Sequence, residues 1–184
     1  ILGARRPMAG KGVRNIKVVI PKEAFNAVYL PLMDCEKRYI VLYGGAGSGK
    51  SVFAAQRLLV RMMSVKPCNL LVVRAVAATH RDSTFAPFKQ LVHTWGIGRL
   101  FRFQESAMRM QCLKNGNTAV FRGLDNVEKL KSITFPGGGL TDIWIEEASE
   151  ITEADFNQLD LRLWDRKGHS QLTLSFNPIS ALHW

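Results

Sequence analysis

Residues Gly44 to Ser51 read Gly-Gly-Ala-Gly-Ser-Gly-Lys-Ser, and no other stretch constrains this chain as strongly. The octet satisfies the spacing G-x-x-x-x-G-K-[ST] in full, between the strand-like run "RYIVLYG" and the helix-forming run "SVFAAQRLLVRMM". Glycines let a backbone curl until successive N–H groups converge on phosphate oxygens, and the following helix presents its positive end to the same anion. On this reading Gly44, Gly45, Ala46, Gly47, Ser48, Gly49, Lys50 and Ser51 form a nucleotide cradle. Lys50 reaches the β and γ phosphates, and the Ser51 hydroxyl ligates Mg²⁺.

The rest of the chain supplies partners for such a strand, loop and helix. "NLLVVRA" is a short apolar run of the kind buried in parallel sheets, and "STFAPFKQLVHTW" predicts a helix with Ser83 as its cap and Pro87 in its first turn. "AMRMQCLKNGNTAVFRGL" alternates partially on both sides of Asn115-Gly116 and predicts an antiparallel hairpin. "TDIWIEE" is a buried strand ending in charge, "ITEADFNQLDLRLW" returns to helical spacing, and "SQLTLSFNP" gives a last strand closed by Asn177-Pro178. In the helix after the glycine loop, Arg57 and Arg61 share one face of an otherwise apolar cylinder. The expected class is α/β, a P-loop NTPase whose mostly parallel sheet is flanked by helices and carries an antiparallel excursion.

With 184 residues the chain is long enough for one such domain. Its most apolar run, "NLLVVRAVAA", is too short for a membrane helix and carries Arg74. The formal charge of +10 favours a polyanionic partner. Arg5, Arg6, Lys11, Arg14, Lys17 and Lys22 all precede the first acid, Glu23, which predicts a basic arm over 1–22 and the ATPase domain over 23–184. Such an arm either lies on DNA or stays a solvated tail. The three cysteines and four histidines show no ligand spacing. A first residue other than Met and an ending that follows a strand-like segment predict a piece of a longer protein.

A phosphate cradle serves kinases, GTPases and motors alike, and "IWIEEASE" discriminates among them. An acid at the end of a buried strand holds Mg²⁺ and a second acid polarises attacking water, so Glu146 is the metal-side acid and Glu147 the general base. Hydrolysis follows from the pair, because small-molecule kinases transfer to an alcohol or phosphate instead of water. The alternative makes them two surface acids where a strand meets a loop. Asn177 in "LSFNP" either contacts the γ-phosphate or merely ends a strand. Charge on the γ-phosphate also calls for an arginine from this or a neighbouring subunit. Arg74, Arg81 and Arg162 are the candidates, and Arg81 is favoured.

From about Tyr39 onward these residues resemble the large subunit of tailed-phage terminase, the ATP-driven motor that packages viral DNA. The resemblance rests on "RYIVLYGGAGSGKS", "LVVR" followed by "HRDSTFAPF", "GLDNVEKLKS", "DIWIEEASEI" with "DFNQLDLRLW" behind it, and "LSFNPISALHW". It implies ATP and Mg²⁺ as cofactors, with Lys50 and Ser51 on the nucleotide and metal. Glu146 and Glu147 would be the acid and catalytic glutamate, and Asn177 part of the motif that couples hydrolysis to movement. The implied function is ATP hydrolysis powering translocation of double-stranded viral DNA into a procapsid. Implied partners are duplex DNA, the portal and procapsid, the small terminase subunit, and further copies of the chain in a ring on the portal. The implied location is the host cytoplasm during assembly, outside the mature virion. Many relatives carry arginine where this chain has Ala46, so its role is absent here or filled by another residue. The family's C-terminal nuclease domain has no counterpart in this sequence. Two readings compete: a different nucleic-acid-dependent ATPase such as a helicase, and a nucleotide-dependent binding module with negligible turnover.

Overall fold

Short runs of β-branched and aromatic residues, separated by segments of helical spacing, fold here into one seven-stranded sheet with helices on both faces. The structure is a computed structural model and describes residues 18–126, 130, 133–135, 138–163 and 170–178. The arm before residue 18, part of "GLDNVEKLKS", His169, His183 and "ISALHW" lie outside the described residues. In chain order the elements are β1 (Tyr39–Tyr43), α1 (Lys50–Ser64), β2 (Leu70–Arg74), α2 (Ala86–Thr94) and β3 (Phe101–Gln104). They continue as β4 (Arg109–Cys112), β5 (Thr118–Gly123), β6 (Asp142–Glu146), α3 (Glu153–Arg162) and β7 (Gln171–Phe176).

The strand order is β1-β7-β6-β2-β5-β4-β3. The first five run parallel, and β4 and β3 return antiparallel at one edge. The hairpin expected around Asn115-Gly116 joins β4 to β5, with Gly116 at φ +81 taking the left-handed turn residue. β3 was not foreseen. Its Phe101 and Phe103 complete the core on the α1 and α2 side, together with Ile40, Leu42, Phe53, Leu58, Val72, Phe88, Phe121 and Trp144. On the opposite face Leu71, Val73, Ile143, Ile145, Leu172 and Leu174 pack with Leu159 and Leu163 of the α3 region. Thr152 starts α3 with a reciprocal capping box to Asp155. Among the described residues no helix is long and apolar enough to cross a membrane.

The arginine face of α1 turns inward. Arg57, only 2% exposed, donates to Leu32 O, Cys35 O and Gln171 Oε1, while Arg61 pairs with Asp142 at 3.0 Å. A buried guanidinium is tolerable when each of its nitrogens finds an acceptor, and these bonds tie α1 to β6, β7 and the segment before β1. Ser83 does not cap α2. Its hydroxyl donates back to Thr79 O at 2.6 Å, and a π-helical turn over Arg81–Phe85 leads into α2, with Pro87 in its first turn as expected.

Next to that turn His80 is buried, its Nε2 bonded to Arg122 O at 2.8 Å and its Nδ1 to Thr84 Oγ1 at 2.7 Å. The carbonyl can only accept, so Nε2 carries the proton and Nδ1 accepts from the threonine. Burial, with the charges of Arg74 and Arg122 adding to it, lowers the imidazole pKa from 6.5 to about 4. A depressed folded-state value means the stabilisation is fully present above pH 6.5 and is lost as pH falls from there through about 4. Urea unfolding is expected to show a loss of about 3 kcal/mol across that window from this group, at ~1.4 kcal/mol per pKa unit. His80→Gln should be less stable at pH 7 yet lose less on acidification; an unchanged pH dependence would remove His80 from this role.

Candidate nucleotide site

Parallel strands bring their carboxyl ends to one edge, and in this order the ends of β1, β7, β6 and β2 are neighbours. The glycine loop leaves β1 and runs into α1. Gly47 at φ +74 and Gly49 at φ +84 hold left-handed conformations that a side chain resists, and Gly49 is the residue from which α1 starts. Lys50 is 6% exposed. Its ammonium lies within the curl of the loop and is shared among Gly44 O at 2.7 Å, Gly45 O at 2.9 Å, Ser48 Oγ at 3.1 Å and Asn177 Oδ1 at 3.0 Å. The residue just past the end of β7 therefore touches the lysine of the loop. Ala46, exposed in the same loop, brings no charge.

Glu146 ends β6 and is 5% exposed. Burial raises its pKa, the Ser175 hydroxyl that donates to it and the nearby Ser51 hydroxyl oppose that, and the charge of Glu147 adds to the rise. Ser175, its register partner on β7, donates to Glu146 Oε2 and accepts from Trp144 Nε1 at 2.8 Å, so the carboxylate is held from behind. Ser51 and Glu146, predicted as metal ligands from opposite ends of the sequence, are thus brought into contact. Both are hard oxygen donors, and a buried carboxylate beside a second acid is a site that suits Mg²⁺.

Glu147 has φ 54 and ψ 54, a left-handed conformation rare outside glycine and asparagine. An extended strand would send residues 146 and 147 to opposite faces. The left-handed turn ends β6 and breaks that alternation, leaving Glu147 half-buried and near enough to act on Glu146.

The three candidate arginines separate. Arg74 ends β2 beside the acid pair, its charge acts on Glu146, and it faces Glu150 at 3.6 Å while its buried Nε has no partner. Arg81 is exposed and acts on Glu105, at the turn between β3 and β4 on the far edge of the sheet. Arg162 lines a cavity of about 460 Å³ with Leu71 and Leu140, next to the amino ends of β2 and β6 and away from the loop. The structure does not bring the favoured Arg81 to the site; Arg74 is the one it does.

Two contributions escaped sequence reasoning. Ser175 lies two residues before Asn177 in "LSFNP", and period-two alternation would have put both on one side of the strand. The other is the segment before β1, where Tyr29 stacks on Phe53 of α1 at 4.8 Å and donates to Ser48 O at 3.1 Å. Gln56 of α1 reaches Ala24 O in the same segment at 2.7 Å. No motif marks these residues.

A family model described as phage terminase large subunit matches residues 36–184. The chain is 34% identical over 153 residues to the PBSX phage terminase large subunit of Bacillus subtilis (strain 168), covering 83% of this chain and 34% of that protein. It is 35% identical over 121 residues to the large terminase subunit of Bacillus phage SPP1, covering 65% of this chain and 28% of that protein. The chain thus spans about a third of the length of the curated relatives it matches. Among solved structures, the large terminase of a thermophilic bacteriophage superposes with TM-score 0.67 at 18% identity, covering 84% of this chain and 37% of that one. That relative has also been solved in complex with ATP-gamma-S, where the TM-score is 0.59.

Proposed function

The chain belongs to the phage terminase large subunit family, and from that premise we propose that it is the ATP-hydrolysing part of a motor that drives double-stranded viral DNA into a procapsid. The observation that carries the reading is the contact of Ser51 and Glu146 beside Glu147, next to a loop whose lysine is already buried and oriented. ATP binds across the Gly44–Ser51 loop, with Lys50 on its terminal phosphates. Ser51 and Glu146 would hold Mg²⁺, which would supply positive charge against that of the phosphates. Glu147 takes the proton of the attacking water. Arg74 meets the charge that develops on the γ-phosphate, in place of Arg81, from its position beside the acid pair. The ATPase unit is the part from residue 23 onward, and the small subunit, the portal and further copies of the chain in a ring are its partners in the host cytoplasm.

Phosphate release by the purified chain, measured with and without non-specific duplex DNA, tests the ATPase. Turnover at the uncatalysed rate in both, with ATP bound, would leave a binding module instead. A packaging assay with procapsid and portal separates a packaging motor from a helicase.

Asn177 becomes the reporter of phosphate. Its Oδ1 shares Lys50 with the loop at 3.0 Å, so a lysine drawn toward phosphate loosens the end of β7. Asn177→Asp puts a carboxylate beside the ammonium and is expected to weaken ATP binding about tenfold by competing with phosphate. Asn177→Ala should keep the affinity and lower turnover. A fluorescent-ATP titration that finds Asn177→Asp binding as wild type would remove the contact from the mechanism.

A further inference from the structure

The antiparallel edge of the sheet has one face in the core, and its other face lies open over β3 and β4 only: on β5 Thr118 and Val120 are buried there too, and Arg122 is half-buried at the strand's end. Phe101, Phe103, Met110, Cys112, Ala119 and Phe121 pack inward. The alternate positions are Arg102 and Gln104 on β3, Arg109 and Gln111 on β4, and Arg122 on β5. Register sets their spacing. Arg102 lies opposite Gln111 and Arg109 opposite Gln104, so the two arginines are diagonal neighbours. Arg109 lies opposite Val120, which makes Arg122 its diagonal neighbour on the other side. Diagonal positions on adjacent strands are about 7–8 Å apart, so three guanidinium groups step across three strands in a line.

Among the described residues no acid pairs with them. The ion pairs there are Arg38–Asp160, Arg61–Asp142, Arg74–Glu150 and Lys89–Glu105, and none includes this line. Burial and the charge of Arg109 together lower the pKa of Arg122, whose Nη1 donates to the carbonyls of Ala107 and Phe121. Like charges fixed on a sheet without counter-charge are a cost that a polyanion removes. On β3, β4 and β5 this face carries no aromatic side chain, since the phenylalanines of these strands point into the core. Stacking platforms are the usual means of holding single strands, whereas phosphates of a duplex need only fixed cations. The line ends beside the nucleotide site, because Arg122 pairs with Val73 and the next residue, Gly123, with Arg74.

We propose that the outer face of β3 and β4 together with the end of β5, through Arg102, Arg109 and Arg122, grips the phosphate backbone of duplex DNA without reading sequence. This rests on the motor reading, and ATP binding measured in parallel keeps the two apart. The test is fluorescence anisotropy of a labelled mixed-sequence duplex with the full chain across a salt series. Arg102→Ala/Arg109→Ala should lower the steepness of log K against log salt by about 1.8, at ~0.9 per lost phosphate contact. Affinity should fall on the order of tenfold or more at about 0.1 M salt. Arg102→Lys/Arg109→Lys, which keeps the charges, should retain most of the slope. Lys89→Ala, which removes a cation already paired with Glu105, should leave the slope unchanged. All variants should bind a fluorescent ATP analogue as wild type does. An unchanged slope in the double alanine variant, an equal loss in Lys89→Ala, no binding by the wild type, or better competition by single-stranded DNA or RNA would each overturn the proposal. A wild-type chain that binds duplex but neither binds nor hydrolyses ATP would sink the motor reading and leave this surface standing.

Discussion

Glu147→Gln is expected to reduce ATP turnover by about 10²–10⁴-fold, the range for loss of a positioned general base, while the dissociation constant for ATP stays within about twofold. The substitution keeps the length and hydrogen-bonding reach of the side chain and removes only its basicity. The Ser51 and Glu146 side chains are left unchanged. The backbone supplies an independent sign. A glutamate at φ 54 is held in a sparsely populated conformation, which persists only where the surroundings impose it, and such strain concentrates at functional positions. Glu147→Gly should therefore also lose turnover while becoming no less stable, since glycine takes φ > 0 freely. Phosphate release, fluorescent-ATP titration and thermal unfolding on the same preparations check all three quantities. Turnover at the wild-type rate in Glu147→Gln would assign the base elsewhere.

Much of this site was legible because its chemistry is written in contiguous letters. The glycine loop needs positive φ and a closing lysine in one turn of chain, and an acid pair that ends an apolar run needs only local sequence to be noticed. β2 and β6 were legible for a similar reason, since strands buried on both faces read as nearly unbroken apolar runs. What stayed hidden depends on tertiary neighbours. Arg74 and Arg81 are seven residues apart and equally cationic on paper, yet one ends β2 beside Glu146 and the other opens a π-helical turn on the side of Glu105. Ser175 matters because register sets it against Glu146, and register is not a local property. β3 is four residues long, too short for alternation to declare it, and it exists because Phe101 and Phe103 find the core. Tyr29 and Gln56 join the loop and its helix to the segment before β1 through contacts that no periodicity marks.

Lys50→Met is expected to weaken ATP binding by about a hundredfold or more, because a buried charge-assisted contact to phosphate is worth roughly 2–5 kcal/mol when one partner is truncated. Methionine approximates the length of the side chain, so packing survives while the charge is lost. Stability should fall only modestly: Gly44 O, Gly45 O, Ser48 Oγ and Asn177 Oδ1 lose their shared donor, and the loop is open enough for water to replace it. Lys50→Arg should not restore binding, since a planar fork cannot take the place of a compact ammonium among four acceptors converging on one point. The contact to Asn177 adds a sharper requirement. If the Asn177→Asp penalty arises through Lys50, it must vanish in the Lys50→Met background, so the double-mutant cycle closes with a coupling energy about equal to that penalty. Additive losses would mean that β7 and the loop lysine answer to the nucleotide separately, and the link from phosphate to strand would have to run through Ser175 and Glu146 instead.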